Sequence, residues 1–145
     1  MFAIRKHAEV EKELQEKDLL VTSAFKARRA FEVDSFDDQG LNYFIELAEG
    51  GVLYLGGQYL DVYMPRPEIN EPRKFPSSEF TIRRHRTEGW VLDIQSQGEV
   101  FEPEKKFPSL QIEDFSLIPA DGEIIRDHSY EDLKVYFKKR KGKRF

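Results

Sequence analysis

Three histidines, at positions 7, 85 and 128, are the only imidazoles that a catalytic or metal site could draw on, and cysteine is absent. Histidine ligands for zinc recur at close helical or strand spacing, and these three have none, so each reads as solvated. Without thiols there can be no cysteine nucleophile, thiolate metal site, iron–sulfur cluster or disulfide framework. The segment 35–46 carries part of a calcium-loop pattern, with Asp37, Gln39, Gly40 and Glu46 in ligand or turn places. Ser35 stands where the first carboxylate belongs, and strand patterns flank the loop where helices are required, so an acidic turn is expected.

Other chemistries fare no better. Gly50-Gly51 and Gly56-Gly57 sit between strand patterns rather than at a strand-to-helix phosphate loop. Asp127-His128-Ser129 holds the residue types of a nucleophile relay, but adjacent side chains diverge, and helix capping accounts for Ser129. Arg83-Arg84-His85-Arg86 ends a predicted strand, where alternation sends its members to opposite faces and leaves them to pair with acids. No residue is nominated as catalytic or metal-binding, no cofactor or small molecule is indicated, and the balance is against an enzyme.

Two features point to binding. From Lys134 to Phe145 the chain has seven basic side chains and no acidic one, leaving sixteen basic and twenty-seven acidic on the other 133 residues, a balance of −11. Lys138, Lys139, Arg140, Lys141, Lys143 and Arg144 are therefore candidate contacts for a polyanion, either anionic lipid or nucleic acid. The second feature is aromatic. Twelve Phe, six Tyr and one Trp promise a packed core, to which Tyr43, Tyr54, Tyr59 and Trp90 on predicted strands belong in the first reading; any of these rings that a sheet with aromatics on both faces leaves outside is a candidate for an interface.

The elements that must position these residues follow from periodicity. Residues 3–17 read as a surface helix with a thin stripe of Ala3, His7, Val10 and Leu14. Phe25, Ala27, Arg29, Phe31 and Val33 alternate as one face of a first strand, and Leu41, Tyr43, Ile45 and Leu47 as one face of a second. Residues 52–55 return as a third, with a kink before a further strand at 59–63. The prolines of 64–78 make a long loop, 79–86 and 90–95 a hairpin, 99–101 a short strand, and 107–119 an irregular wrap with one helical turn. Ser129 caps a last helix whose inward stripe is Tyr130, Leu133 and Phe137.

The expected fold is mainly β (α+β): a small curved sheet or barrel of six to seven mostly antiparallel strands with an N-terminal and a C-terminal helix. It divides into a surface helix (1–18), one β-rich domain (19–137) and a basic tail (138–145). The run Ala24 to Glu32, with Asn42-Tyr43-Phe44-Ile45-Glu46-Leu47 and Gly57-Gln58-Tyr59-Leu60, resembles an uncharacterised bacterial domain. That resemblance spans roughly 20–137 and implies the cytosolic part of a membrane protein in some chains, with no known activity. The first residues form no signal peptide and no run reaches membrane-span length, so a cytoplasmic chain is expected, membrane-associated at most through a partner or its tail. The leading expectation is a non-enzymatic protein-interaction or regulatory module, its partner a protein or a second copy of the chain. The alternative is recruitment to anionic membrane or nucleic acid through the tail.

Overall fold

The computed structural model describes residues 6–35 and 40–140. Seven strands form an open, mostly antiparallel sheet in the order β5-β4-β1-β2-β3-β7, with β6 lying parallel beside β1. The strands are β1 (Leu20–Asp34), β2 (Leu41–Leu47), β3 (Val52–Gly57), β4 (Glu79–His85), β5 (Val91–Ser96), β6 (Lys105–Phe107) and β7 (Ile124–Ile125). Helices α1 (His7–Glu16) and α2 (Tyr130–Lys139) open and close the described chain. The curved-sheet expectation holds, and the sheet does not close into a barrel.

The fifteen-residue β1 organises everything else. Its first half pairs with β4, from Leu20 opposite His85 to Lys26 opposite Glu79. Its second half pairs with β2 on the other side, and a bulge between Ala27 and Arg29 sets two residues against one at the changeover. An extra residue reverses which face each side chain takes. Phe25 and Ala27 thus share a core with Ala30, whereas Phe31 and Val33 enter a second core on the opposite face. The single continuous face expected from alternation is corrected by this bulge.

The first core lies in the concave side of the sheet, where Tyr43, Ile45, Leu53 and Leu55 meet Phe80, Ile82 and Ile94, with Leu60 and Phe75 from the long loop. The second lies between β1–β2–β3 and α2, where Phe31 stacks on Phe44 at 4.9 Å and both contact Phe137. Strands β2 and β3 are therefore covered on both faces. Ser129 caps α2 by accepting a hydrogen bond from the Asp132 amide at 3.0 Å, and Tyr130, Leu133 and Phe137 face inward as expected.

Two expected strands are elsewhere. Residues 59–63 belong to a 3-10 turn (Gln58–Tyr63), because Gly57 at φ 149° bends the chain out of the ladder. Around 99–101 only Val100 makes an isolated bridge, to Ser77, while the strands that complete the sheet are the short β6 and β7. Helix α1 begins, within the described residues, at His7, and Leu14 is its buried residue.

Candidate functional site

Because β2 joins β1 only from Ala27 onward, no strand pairs with the β2-side edge of Leu20–Phe25 among the described residues. The other outer edge of this half, on β5, is partly occupied: the Ile94 amide donates to the Tyr63 hydroxyl at 2.9 Å and the Ser96 hydroxyl to the Lys74 carbonyl at 2.6 Å. The open edge of β1 leads into a cleft of about 490 Å³. Its apolar lining is Phe25, Phe80, Leu47 and Ile124, with Phe25 stacked on Phe80 at 5.6 Å. Lys26, Glu49, Glu79 and Arg126 give it a charged rim of both signs. This is the seam at which the curled sheet fails to close.

Across the β2–β3 turn lies a more polar cleft of about 610 Å³, lined by Arg28, Glu46, Asp127, His128 and Ser129. Arg126 lines both clefts and has no ion-pair partner among the described residues. Asp127-His128-Ser129 forms no relay here. His128 Nε2 lies 3.7 Å from the adjacent Asp127 carboxylate, and the Ser129 hydroxyl is engaged as the α2 cap.

The four aromatic residues nominated for an interface separate. Tyr43 is fully buried, 0% exposed, with its hydroxyl between Met64 Sδ at 3.5 Å and Arg73 Nη1 at 3.3 Å, and burial and the nearby Glu32 push its phenol pKa up. Tyr54 is also buried and donates to Asn42 Oδ1 at 2.6 Å. Both belong to the core and not to an interface, since the sheet and α2 cover the two faces of β2 and β3. Tyr59 is half-buried and donates to Asp121 at 3.0 Å. Trp90 remains exposed at the β4–β5 hairpin, with its ring 5.1 Å from His85 and its Nε1 donating to Glu88 at 2.7 Å.

The basic end separates too. Lys138 and Lys139 are exposed on the last turn of α2, whereas Lys141, Lys143 and Arg144 lie outside the described residues. Arg140 is not available to a polyanion. Its guanidinium pairs with the buried Asp114, donates to the Pro108 carbonyl and stacks 4.9 Å from the Phe137 ring centroid. Asp114 also accepts from the Gln111 amide at 2.7 Å and the Tyr136 hydroxyl at 2.6 Å; burial and that carboxylate push the Tyr136 phenol up to about 12.

One set of ligand-type side chains converges on the outer face of the β1–β4–β5 half: His7 and Glu11 of α1 and Asp93 of β5, with ligand atoms within 4.8 Å of one another. Arg83 already occupies the cation's place. Its guanidinium donates to both Asp93 oxygens and pairs with Glu11, while His7 Nε2 lies 2.8 Å from Asp93. Burial pulls the Asp93 pKa up, but Arg83 and His7 outweigh it and the net displacement is downward. The cluster is an ion-pair clasp fastening α1 to the sheet. Arg84 faces the other way, donating to the Gly89 and Gly122 carbonyls, and Arg86 donates to Asp18. Alternation has split the basic run as expected. In the calcium-like segment, Asp37 and Gln39 lie outside the described residues.

Compared with family models, with curated proteins and with solved structures, the chain has no match. No helix among the described residues is long and apolar enough to cross a membrane. The seam and the residues around Asp114 were not singled out by the sequence. A bulge leaves little trace in it, although Ile112-Glu113-Asp114-Phe115, with apolar residues outside a pair of acids, is a local signal.

Proposed function

We propose that this chain is a non-enzymatic interaction module of the cytoplasm that binds an extended segment of a protein partner along the seam. The observation that carries the reading is the unpaired edge of Leu20–Phe25 running into the apolar cleft at Phe25 and Phe80. An exposed edge offers main-chain donors and acceptors to an added strand, and a neighbouring pocket selects one of its side chains. The mixed charges of Lys26, Glu79, Glu49 and Arg126 would set orientation and partner preference more than affinity.

Selection from a random peptide library on the purified chain tests this. Recovered peptides should carry an apolar anchor, protect the amides of the β1 edge from hydrogen exchange, and lose binding in Phe25→Arg. Peptides that bind equally well to Phe25→Arg, or no enrichment at all, would remove the reading.

A second reading has its own support. Lys138 and Lys139 stand exposed at the end of an otherwise acidic body and continue in sequence into Lys141, Lys143 and Arg144, which favours recruitment to an anionic surface with strong salt dependence.

A further inference from the structure

Among the described residues, Ile112, at 71%, has the highest exposure of any large hydrophobic side chain, and Phe115, at 54%, stands close beside it in sequence. Both belong to the 3-10 turn Ile112–Leu117. Exposed apolar residues scattered singly need no explanation, but these two sit on either side of a carboxylate that fixes their position. Asp114 is 0% exposed and engages the Gln111 amide, the Tyr136 hydroxyl and Arg140. The turn is thereby held against the end of α2, with Leu117 packed against the second core, while Ile112 and Phe115 are exposed. Arg140, spent on that anchorage, immediately follows Lys138 and Lys139. A rigid apolar knuckle thus abuts the start of the chain's basic end, on a body whose other residues are predominantly acidic.

We propose that the knuckle of Ile112 and Phe115 inserts into the headgroup region of an anionic lipid bilayer while the neighbouring lysines contact its phosphates; the proposal rests on the second reading above. Charge complementarity selects this occupant. The body carries a net negative balance that an anionic surface repels, whereas the basic end is attracted to it and brings the knuckle along. One weak apolar contact or one short basic cluster holds a protein at a membrane only marginally, and the two together make a stable peripheral attachment. Glu113, exposed between the two apolar residues, opposes the approach.

The test is co-sedimentation of the full chain with phosphatidylcholine vesicles with and without phosphatidylserine, at low and high salt, for the wild type, Ile112→Ser/Phe115→Ser and Glu113→Gln. Thermal unfolding confirms that the exposed substitutions leave the fold intact. The expected result is phosphatidylserine-dependent, salt-sensitive binding that weakens about tenfold in the double variant and tightens in Glu113→Gln. Tryptophan emission of Phe115→Trp should shift to the blue on the same vesicles relative to the free protein. Undiminished binding of the double variant with unshifted emission would overturn the insertion and leave recruitment by the basic end standing. Failure of the wild type to bind phosphatidylserine vesicles at low salt, with or without binding to RNA, would overturn the insertion and the membrane form of the second reading together.

Discussion

The two halves of β1 live in different surroundings. Residues of the second half are buried without a break from Ala30 to Val33, between the concave core and α2, whereas the first half alternates between half-buried and exposed positions. The second half is flanked by β2 on one side and β6 on the other, but among the described residues the first is paired only with β4. Helix α2 seals its half with aromatic rings; α1 is held to the other by the Arg83 clasp, with Leu14 its one buried residue. One strand therefore joins a platform, in which β1 is flanked on both edges and covered on both faces, to a three-stranded flap in which it has one open edge, although Phe80, Ile82 and Ile94 of the flap still enter the first core. An unpaired strand edge exposes main-chain donors and acceptors and is a place where a binding surface can form. The bulge between Ala27 and Arg29 marks the point where one surrounding gives way to the other.

Breaking the platform should have the largest effect. Phe31→Ala or Phe44→Ala empties the stacked pair beneath α2 and should cost about 3–5 kcal/mol in urea unfolding. Gly56→Ala should cost about 1–3 kcal/mol, because a Cβ there would come within 2.1 Å of the Tyr54 hydroxyl and 2.7 Å of Asn42 Oδ1, both held in one hydrogen bond. Ser129→Ala removes the α2 cap and should cost about 1 kcal/mol in the same measurement.

Acidity sharpens the comparison with smaller effects. In the flap, Asp93 titrates below its ordinary range because Arg83 and His7 outweigh the burial that opposes them. Its contribution is present above the unfolded-state pKa and is lost as pH falls through the folded value. Asp121 is the reverse case, on the platform side: burial raises its pKa despite the Gly56 amide and Tyr59 hydroxyl it accepts from. Its favourable contribution is complete below the unfolded-state pKa and disappears as pH rises through the folded value. Asp93→Asn should therefore be less stable than wild type at neutral pH, Asp121→Asn more stable, and both gaps should close in acid. Thermal melts across pH check both signs.

The platform was largely legible in the sequence. Leu41, Tyr43, Ile45 and Leu47 alternate as one face of β2, and Tyr130, Leu133 and Phe137 recur at helical spacing behind a capping serine, so local periodicity identified both elements. The candidate sites were not legible in the same way. The bulge at Ala27/Arg29 is a tertiary event: the alternation of Phe25 to Val33 reads straight through it. For Tyr43 and Tyr54 the alternation leaves core and interface both open, because a sheet with aromatics on both faces can leave one outside; the packing of α2 against one face and of β4 and β5 against the other decides for the core. The three-residue β6 and two-residue β7 are too short to have any period of their own. Arg140 counted as tail until a buried aspartate twenty-six residues away claimed it.

Native-state hydrogen exchange along β1 tests the asymmetry most directly. Amides from Ala30 to Val33 should exchange only through global unfolding, while from Leu20 to Phe25 those facing β4 are protected and those facing the seam exchange orders of magnitude faster, as an unpaired edge requires. Uniform, globally limited protection from Leu20 to Val33 would contradict the account, because it would mean that the first half of β1 is paired on both sides and no open seam exists.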